Sequence, residues 1–304
     1  MSYTEHRTTS FDGLSLYHRQ YGDPQARQVV LCLPGLTRNS ADFDGIASHL
    51  AERFRVICPD LRGRGQSDYD PKWKQYLPPT YVQDMWKLLD ELGIDQVAVL
   101  GTSLGGLMGM IMADQHPERL RGLVLNDIGP EVPPDAIGRL LKYVGQTPSA
   151  PDWPKAVATT RKNYELAYPD QDDEFWEQQS RATWREAEDG HFKPAYDPAI
   201  GDAIGHAVKA AKFIGWLKKL GFKRLKGLNL DNWDNFRAVS MPCLLLHGEL
   251  SDITNADIIR RMQAEKPDLQ VLTVRSRGHV PTMNEPEVRL ALDAFLDALE
   301  PPSG

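Results

Sequence analysis

The sequence predicts an α/β protein, a mostly parallel sheet with helices on both faces and a helical insertion. Three observations predict it. Short, continuous apolar runs alternate with amphipathic stretches, the pattern of strands buried on both faces between covering helices. The alternation stops near Glu131 and resumes after Phe236, and between them lie helical patches and many aromatic residues but no buried strand run. The chain has 304 residues, enough for one large sheet domain in two sequence pieces. The expected division is a core of 1–130 and 237–304 around an insertion of 131–236.

Each element has its own signal. Two β-type segments open the chain, Tyr3–Ser10 and "LSLYHRQYG", with Asp12-Gly13 as the turn. "QVVLCLPG" is the first buried strand, and "SADFDGIASHLAER" follows as a helix with Ser40 as its expected N-cap. "FRVICPDLRGRGQSD" is a strand and a long turn. In "PTYVQDMWKLLDELG", Tyr81, Met85, Leu88, Leu89 and Leu92 share one helical face, and Gly93 is placed to end the helix. "DQVAVLG", "SLGGLMGMIMADQHP" and "LRGLVLNDIG" read as strand, helix and strand. After the insertion, "MPCLLLHGE", "NADIIRRMQAEKP", "LQVLTVRS" and "NEPEVRLALDAFLDALE" repeat the alternation.

The totals exclude several functions. A net charge of −7 argues against a nucleic-acid surface. No apolar run is long enough to span a bilayer, and the N-terminus has no apolar core of a secretory signal. Cys32, Cys58 and Cys243 are scattered through strand-like runs without metal-ligand spacing, so we expect reduced core thiols, a cytoplasmic protein, and neither metal nor cofactor. The expected partner is a small molecule, and oligomeric state is not legible.

"VAVLGTSLGGLMGM" puts Ser103 between a strand and a helix in the pattern G-x-S-x-G. That context is what a nucleophile elbow needs: a sharp, strained turn, glycines two residues either side, and a helix N-terminus facing the serine oxygen. A plain turn would use the same glycines, whereas a phosphate loop would need a G-K-[ST] that is missing. A serine needs a base, and His279 follows the last strand run at the carboxyl end of the sheet, where sites form in open α/β folds. His247 lies inside a strand run and reads as a packed core histidine. Two carboxylates crowd the end of that strand. Asp252 is the expected acid, Glu249 a decoy, and Asp127, at the end of "LVLND", a second candidate. Two backbone N–H groups should hold an oxyanion, those of Leu104 and Leu36.

"LPGLTRNSADF", "DLRGRGQSD", "GTSLGG", "HGELSD" and "GHVPTMNEP" together resemble the α/β-hydrolase superfamily over nearly the whole chain. The resemblance implies an eight-stranded sheet, a helical cap, and a triad of Ser103, Asp252 and His279. It implies an esterase or lactonase working through an acyl-enzyme. The usual His-Gly of the oxyanion loop is Pro34-Gly35 here, which keeps a backbone donor at Leu36. Carbon–carbon hydrolases of aromatic breakdown look similar but often have tryptophan after the histidine, where this chain has Val280. A ligand receptor on the same fold is a third alternative.

The insertion carries Trp153, Trp176, Trp184, Trp216 and Trp233, which either line an apolar pocket or pack the insertion. Trp216 and Arg38 are candidate substrate contacts, Arg38 for a carboxylate. The segment 209–226 has seven basic residues and no acid, and reads as a helix with one packed and one solvated face.

Overall fold

A computed structural model describes residues 3–146, 148–219 and 231–299. Among the described residues there are ten strands: β1 (Thr4–Thr9), β2 (Ser15–Tyr21), β3 (Val29–Leu33), β4 (Arg55–Pro59), β5 (Val97–Thr102), β6 (Leu120–Asn126), β7 (Trp184–Glu186), β8 (Phe192–Pro194), β9 (Cys243–Gly248) and β10 (Gln270–Val274). Eight of them form one sheet in the order β1-β2-β4-β3-β5-β6-β9-β10. The first two pairings, β1 with β2 and β2 with β4, are antiparallel, and the rest are parallel.

The central strands are apolar throughout because both faces are covered. In β3, Val29, Leu31 and Leu33 enter one core while Val30 and Cys32 enter the other. The same alternation splits β9, with Cys243 and Leu245 on one side and Leu244 and Leu246 on the other. Helix α1 (Asp44–Leu50) and the last helix, Pro286–Asp297, cover one face through Ile46, Leu50, Val288, Leu292 and Phe295. Helices α2 (Pro78–Glu91) and α3 (Leu104–Gln115) cover the other. Gly93 adopts a positive φ of 64° just beyond α2, as a helix-ending glycine does. The three cysteines are free and buried.

One local expectation needs correction. Ser40 does not cap a helix. Asn39 takes that place, its side chain accepting from the Ala41 N–H, and a 3-10 turn over Ser40–Phe43 precedes α1. Ser40 is instead buried, its backbone N–H donating to Asp60 at 2.7 Å. The insertion is mostly helical. It holds α4 (Pro134–Tyr143), α5 (Trp153–Tyr164), α6 (Asp173–Thr183), α7 (Ala199–Lys219) and α8 (Trp233–Arg237), but β7 and β8 pair as an antiparallel hairpin between α6 and α7. Three-residue strands are too short to show a periodicity. Helices α9 (Ala256–Glu265) and α10, the Pro286–Asp297 helix, complete the fold. Among the described residues no helix is long and apolar enough to cross a membrane. Of the basic segment 209–226, residues 220–226 and the side chains of 211–219, that of Trp216 included, lie outside the described residues.

Candidate active site

Residue Ser103 sits at the turn from β5 into α3 with φ 51° and ψ −112°, backbone angles that L-residues seldom adopt. Its neighbours leave no room for larger residues. A Cβ on Gly101 would lie 2.4 Å from the Gly105 carbonyl oxygen, and one on Gly105 would lie 2.1 Å from that of Leu33. The turn is tied to the next strand by the Ser103 N–H, which donates to the Asn126 carbonyl at 3.1 Å. Leu104 is buried and opens α3, so its N–H is among those at a helix start without an intrahelical acceptor.

The Ser103 hydroxyl lies 2.9 Å from His279 Nε2, and His279 Nδ1 lies 2.8 Å from Asp127 Oδ2. A buried carboxylate can only accept. Nδ1 therefore carries the ring proton, and Nε2 is left to accept the serine O–H. Ser103, Asp127 and His279 come from the loops after β5, β6 and β10, all at the carboxyl end of the sheet.

The structure therefore places Asp127, and not the expected Asp252, beside His279. Asp252 does not approach His279. It is 56% exposed and paired with Arg139, itself half exposed. Glu249 accepts from the Ser276 N–H at 3.0 Å. Asp127 is fully buried, and its φ of 54° is a conformation that aspartate tolerates better than most residues. Its carboxylate accepts from the Gly248 N–H at 3.1 Å, the Ser251 hydroxyl at 2.5 Å and the Thr254 hydroxyl at 2.6 Å, besides His279. His247 Nδ1 stands 3.4 Å from Oδ1. Burial alone would raise the Asp127 pKa. Contacts with His247 and His279 and the Ser251 bond outweigh it and hold the group down at about 2. So the loop expected to supply the acid supplies instead the hydroxyls that grip it. His247 is no simple core histidine, because it faces the same carboxylate.

The base has supports from the insertion. The Gly278 N–H donates to the Ala167 carbonyl at 2.8 Å, and the Tyr168 hydroxyl to the Val280 carbonyl at 2.7 Å. Arg277, held by Glu285 at 2.8 Å, also reaches Asp170 at 2.5 Å.

A cavity of about 100 Å³ opens beside Ser103 and His279. Leu36 lines it, and the Leu36 carbonyl accepts from the buried Arg64 guanidinium at 2.9 Å. Tyr168 and Trp176 come from the insertion side. Arg38 lines it too, but with its charge already engaged: Nε and Nη2 grip Asp42 at 2.7 and 2.5 Å, and Nη2 also reaches Gln179 at 3.0 Å. Burial works against the Arg38 charge, and Asp42 more than offsets it. An ion pair this complete offers a substrate carboxylate little unshared charge. Of the insertion's described tryptophan side chains, Trp153, Trp184 and Trp233 donate to Glu177, Thr160 and Glu131 and serve packing. Trp176 belongs to the cavity wall.

Comparison with known proteins gives a consistent result. A family model described as the alpha/beta hydrolase fold matches residues 28–286. A 3-hydroxybutyrate-oligomer hydrolase from Cupriavidus necator is 30% identical over 296 residues, 93% of this chain and 92% of that protein. A 2-(acetamidomethylene)succinate hydrolase from Mesorhizobium japonicum is 27% identical over 271 residues, 89% of this chain and 88% of that one. The crystal structure of an alpha/beta hydrolase from Novosphingobium aromaticivorans is 36% identical, with a TM-score of 0.84 over 97% of this chain and 98% of that one.

Proposed function

We propose that this chain, which belongs to the α/β-hydrolase family, is a serine hydrolase that cleaves a carboxylic ester or lactone through an acyl-enzyme. The observation that carries the reading is the hydrogen-bonded series Ser103–His279–Asp127, with links of 2.9 and 2.8 Å. The relative from Cupriavidus necator, named for hydrolysis of 3-hydroxybutyrate oligomers, supports an ester substrate.

In this reading Ser103 Oγ attacks the carbonyl carbon as His279 Nε2 takes its proton. Asp127 holds the ring in the right tautomer and stabilises the imidazolium that forms. The N–H groups of Leu36 and Leu104 receive the oxyanion, and Arg64 steadies the first of them through the Leu36 carbonyl. The imidazolium returns its proton to the departing alcohol oxygen, leaving the acyl group on Ser103. Water, deprotonated by His279, then attacks the acyl-enzyme. Collapse of that second intermediate releases the acid and restores the serine. The insertion 131–236 acts as a cap on the core of 1–130 and 237–304, since it supplies part of the cavity wall and helps hold the histidine loop. Free, buried thiols support a cytoplasmic place of action.

Hydrolysis of p-nitrophenyl butyrate by the wild type and by Ser103→Ala tests the reading. The variant is expected to lose activity by about 10⁴-fold or more, together with labelling by a fluorophosphonate. Near-full activity in the variant would show that another nucleophile does the work.

A further inference from the structure

Two buried polar atoms of residues lining the cavity have no partner among the described residues. Trp176 is 2% exposed, and its indole N–H, which can only donate, meets no acceptor. Four other tryptophans do find one: Trp86, Trp153, Trp184 and Trp233 donate to Gln115, Glu177, Thr160 and Glu131 at 2.7 to 2.9 Å. The second orphan is the side-chain oxygen of Asn126, fully buried at the end of β6. The amide cannot be turned over to cure this. Its Nδ2 donates to the Pro281 carbonyl at 3.0 Å, and a carbonyl would not accept from the oxygen in its place. An unpaired buried polar group is costly, so a fold that leaves one donor and one acceptor unpaired among the residues lining one small cavity calls for a reason.

We propose that the cavity is built for an acyl group bearing a hydroxyl near the scissile carbonyl, an ester of a short hydroxy acid, with Trp176 and Asn126 as the specificity-determining residues. The proposal rests on Ser103 being the nucleophile and names the substrate class of that site. A hydroxylated acyl group brings what both orphans lack, a proton for Asn126 and oxygen lone pairs for Trp176, and adds no charge. The cavity's volume of about 100 Å³ suits a short acyl chain. Its one guanidinium, Arg38, is spent on Asp42, so the site favours a neutral polar group over a carboxylate. An alkyl chain would leave both groups unpaired, whereas a hydroxyl would offer each a partner. A site of this kind discriminates against the analogue without the hydroxyl far more strongly than an apolar pocket discriminates between chain lengths.

The test compares p-nitrophenyl 3-hydroxybutyrate with p-nitrophenyl butyrate, which share a leaving group and differ by one hydroxyl. The wild type is expected to prefer the hydroxylated ester by at least about tenfold in kcat/KM. Trp176→Phe should bring that ratio most of the way to one, by a larger loss on the hydroxylated ester. Equal rates on the two esters would overturn the proposal while leaving the serine hydrolase reading intact. A ratio unmoved by Trp176→Phe would overturn the assignment to the indole. Hydrolysis of neither ester would overturn both readings. Should the variant fail to fold, free 3-hydroxybutyrate and butyrate are compared as inhibitors of the wild type. The hydroxy acid should bind about tenfold tighter, and equal inhibition would count against the proposal.

Discussion

The loops that follow β6 and β9 both leave largely apolar strands and both present an aspartate close behind, Asp127 in one and Asp252 in the other. Their surroundings are opposite. Asp127 has no exposed surface and accepts from a backbone N–H, two hydroxyls and an imidazole. Asp252 is more than half exposed and has one arginine for company. A carboxylate in the first setting is fixed in place and kept ionised. One in the second can swing and is screened by solvent. Proximity to a strand end in sequence therefore does not select the acid. The number of donors converging on it does.

The largest expected effect breaks this comparison directly. Asp127→Asn should lower kcat for ester hydrolysis by about 10⁴-fold, because an amide cannot stabilise the imidazolium and favours the wrong tautomer. A stopped assay with p-nitrophenyl butyrate measures it, and a loss under tenfold would return the acid's role to another carboxylate. Next comes the support for that carboxylate. Thr254→Val removes a charge-assisted bond of 2.6 Å and is expected to cost about 1–3 kcal/mol of stability, read as a lower urea midpoint.

The pH dependence sharpens the same point. Asp127 is held down at about 2 against an ordinary 3.8. A group depressed in this way stabilises the fold above its unfolded value, and that contribution fades as pH falls from about 4 through 2. The size is roughly 2 kcal/mol. Urea melts between pH 5 and 2 should show this loss in the wild type and a flatter profile in Asp127→Asn. The smallest effect completes the comparison. Asp252→Asn should leave kcat within about twofold, as a surface change with one exposed ion pair does, and a hundredfold loss there would reverse the assignment.

How much of this was legible depended on the range of the interaction. The strands, the helices and the Ser103 turn are written locally, in apolar periods and in glycines that a tight backbone approach requires. His279 follows from its place after the last strand, and the structure brings it to Ser103. The acid was harder to read. Asp127 was visible as a second choice, but its standing comes from Ser251 and Thr254, 124 and 127 residues away. Ser251 and Thr254 flank Asp252 in "GELSDIT", so the stretch that pointed to Asp252 contains the donors that hold Asp127. Nothing periodic marks a hydroxyl that must meet a distant carboxylate. The same holds for Trp176, one of five tryptophans in the insertion and distinguished only by an N–H without a partner.

The bonds from Ala167, Tyr168 and Asp170 to the segment Arg277–Val280 have a consequence for evolution and engineering. Ser103 and Asp127 stand at the ends of sheet strands, but the His279 imidazole sits on a loop bonded to residues 167–170 of the insertion. Replacing the insertion to change specificity would then also loosen the base, so a grafted cap must bring its own clamp for residues 277–280. A chimera that neglects the clamp would be expected to bind its new ester and turn it over poorly.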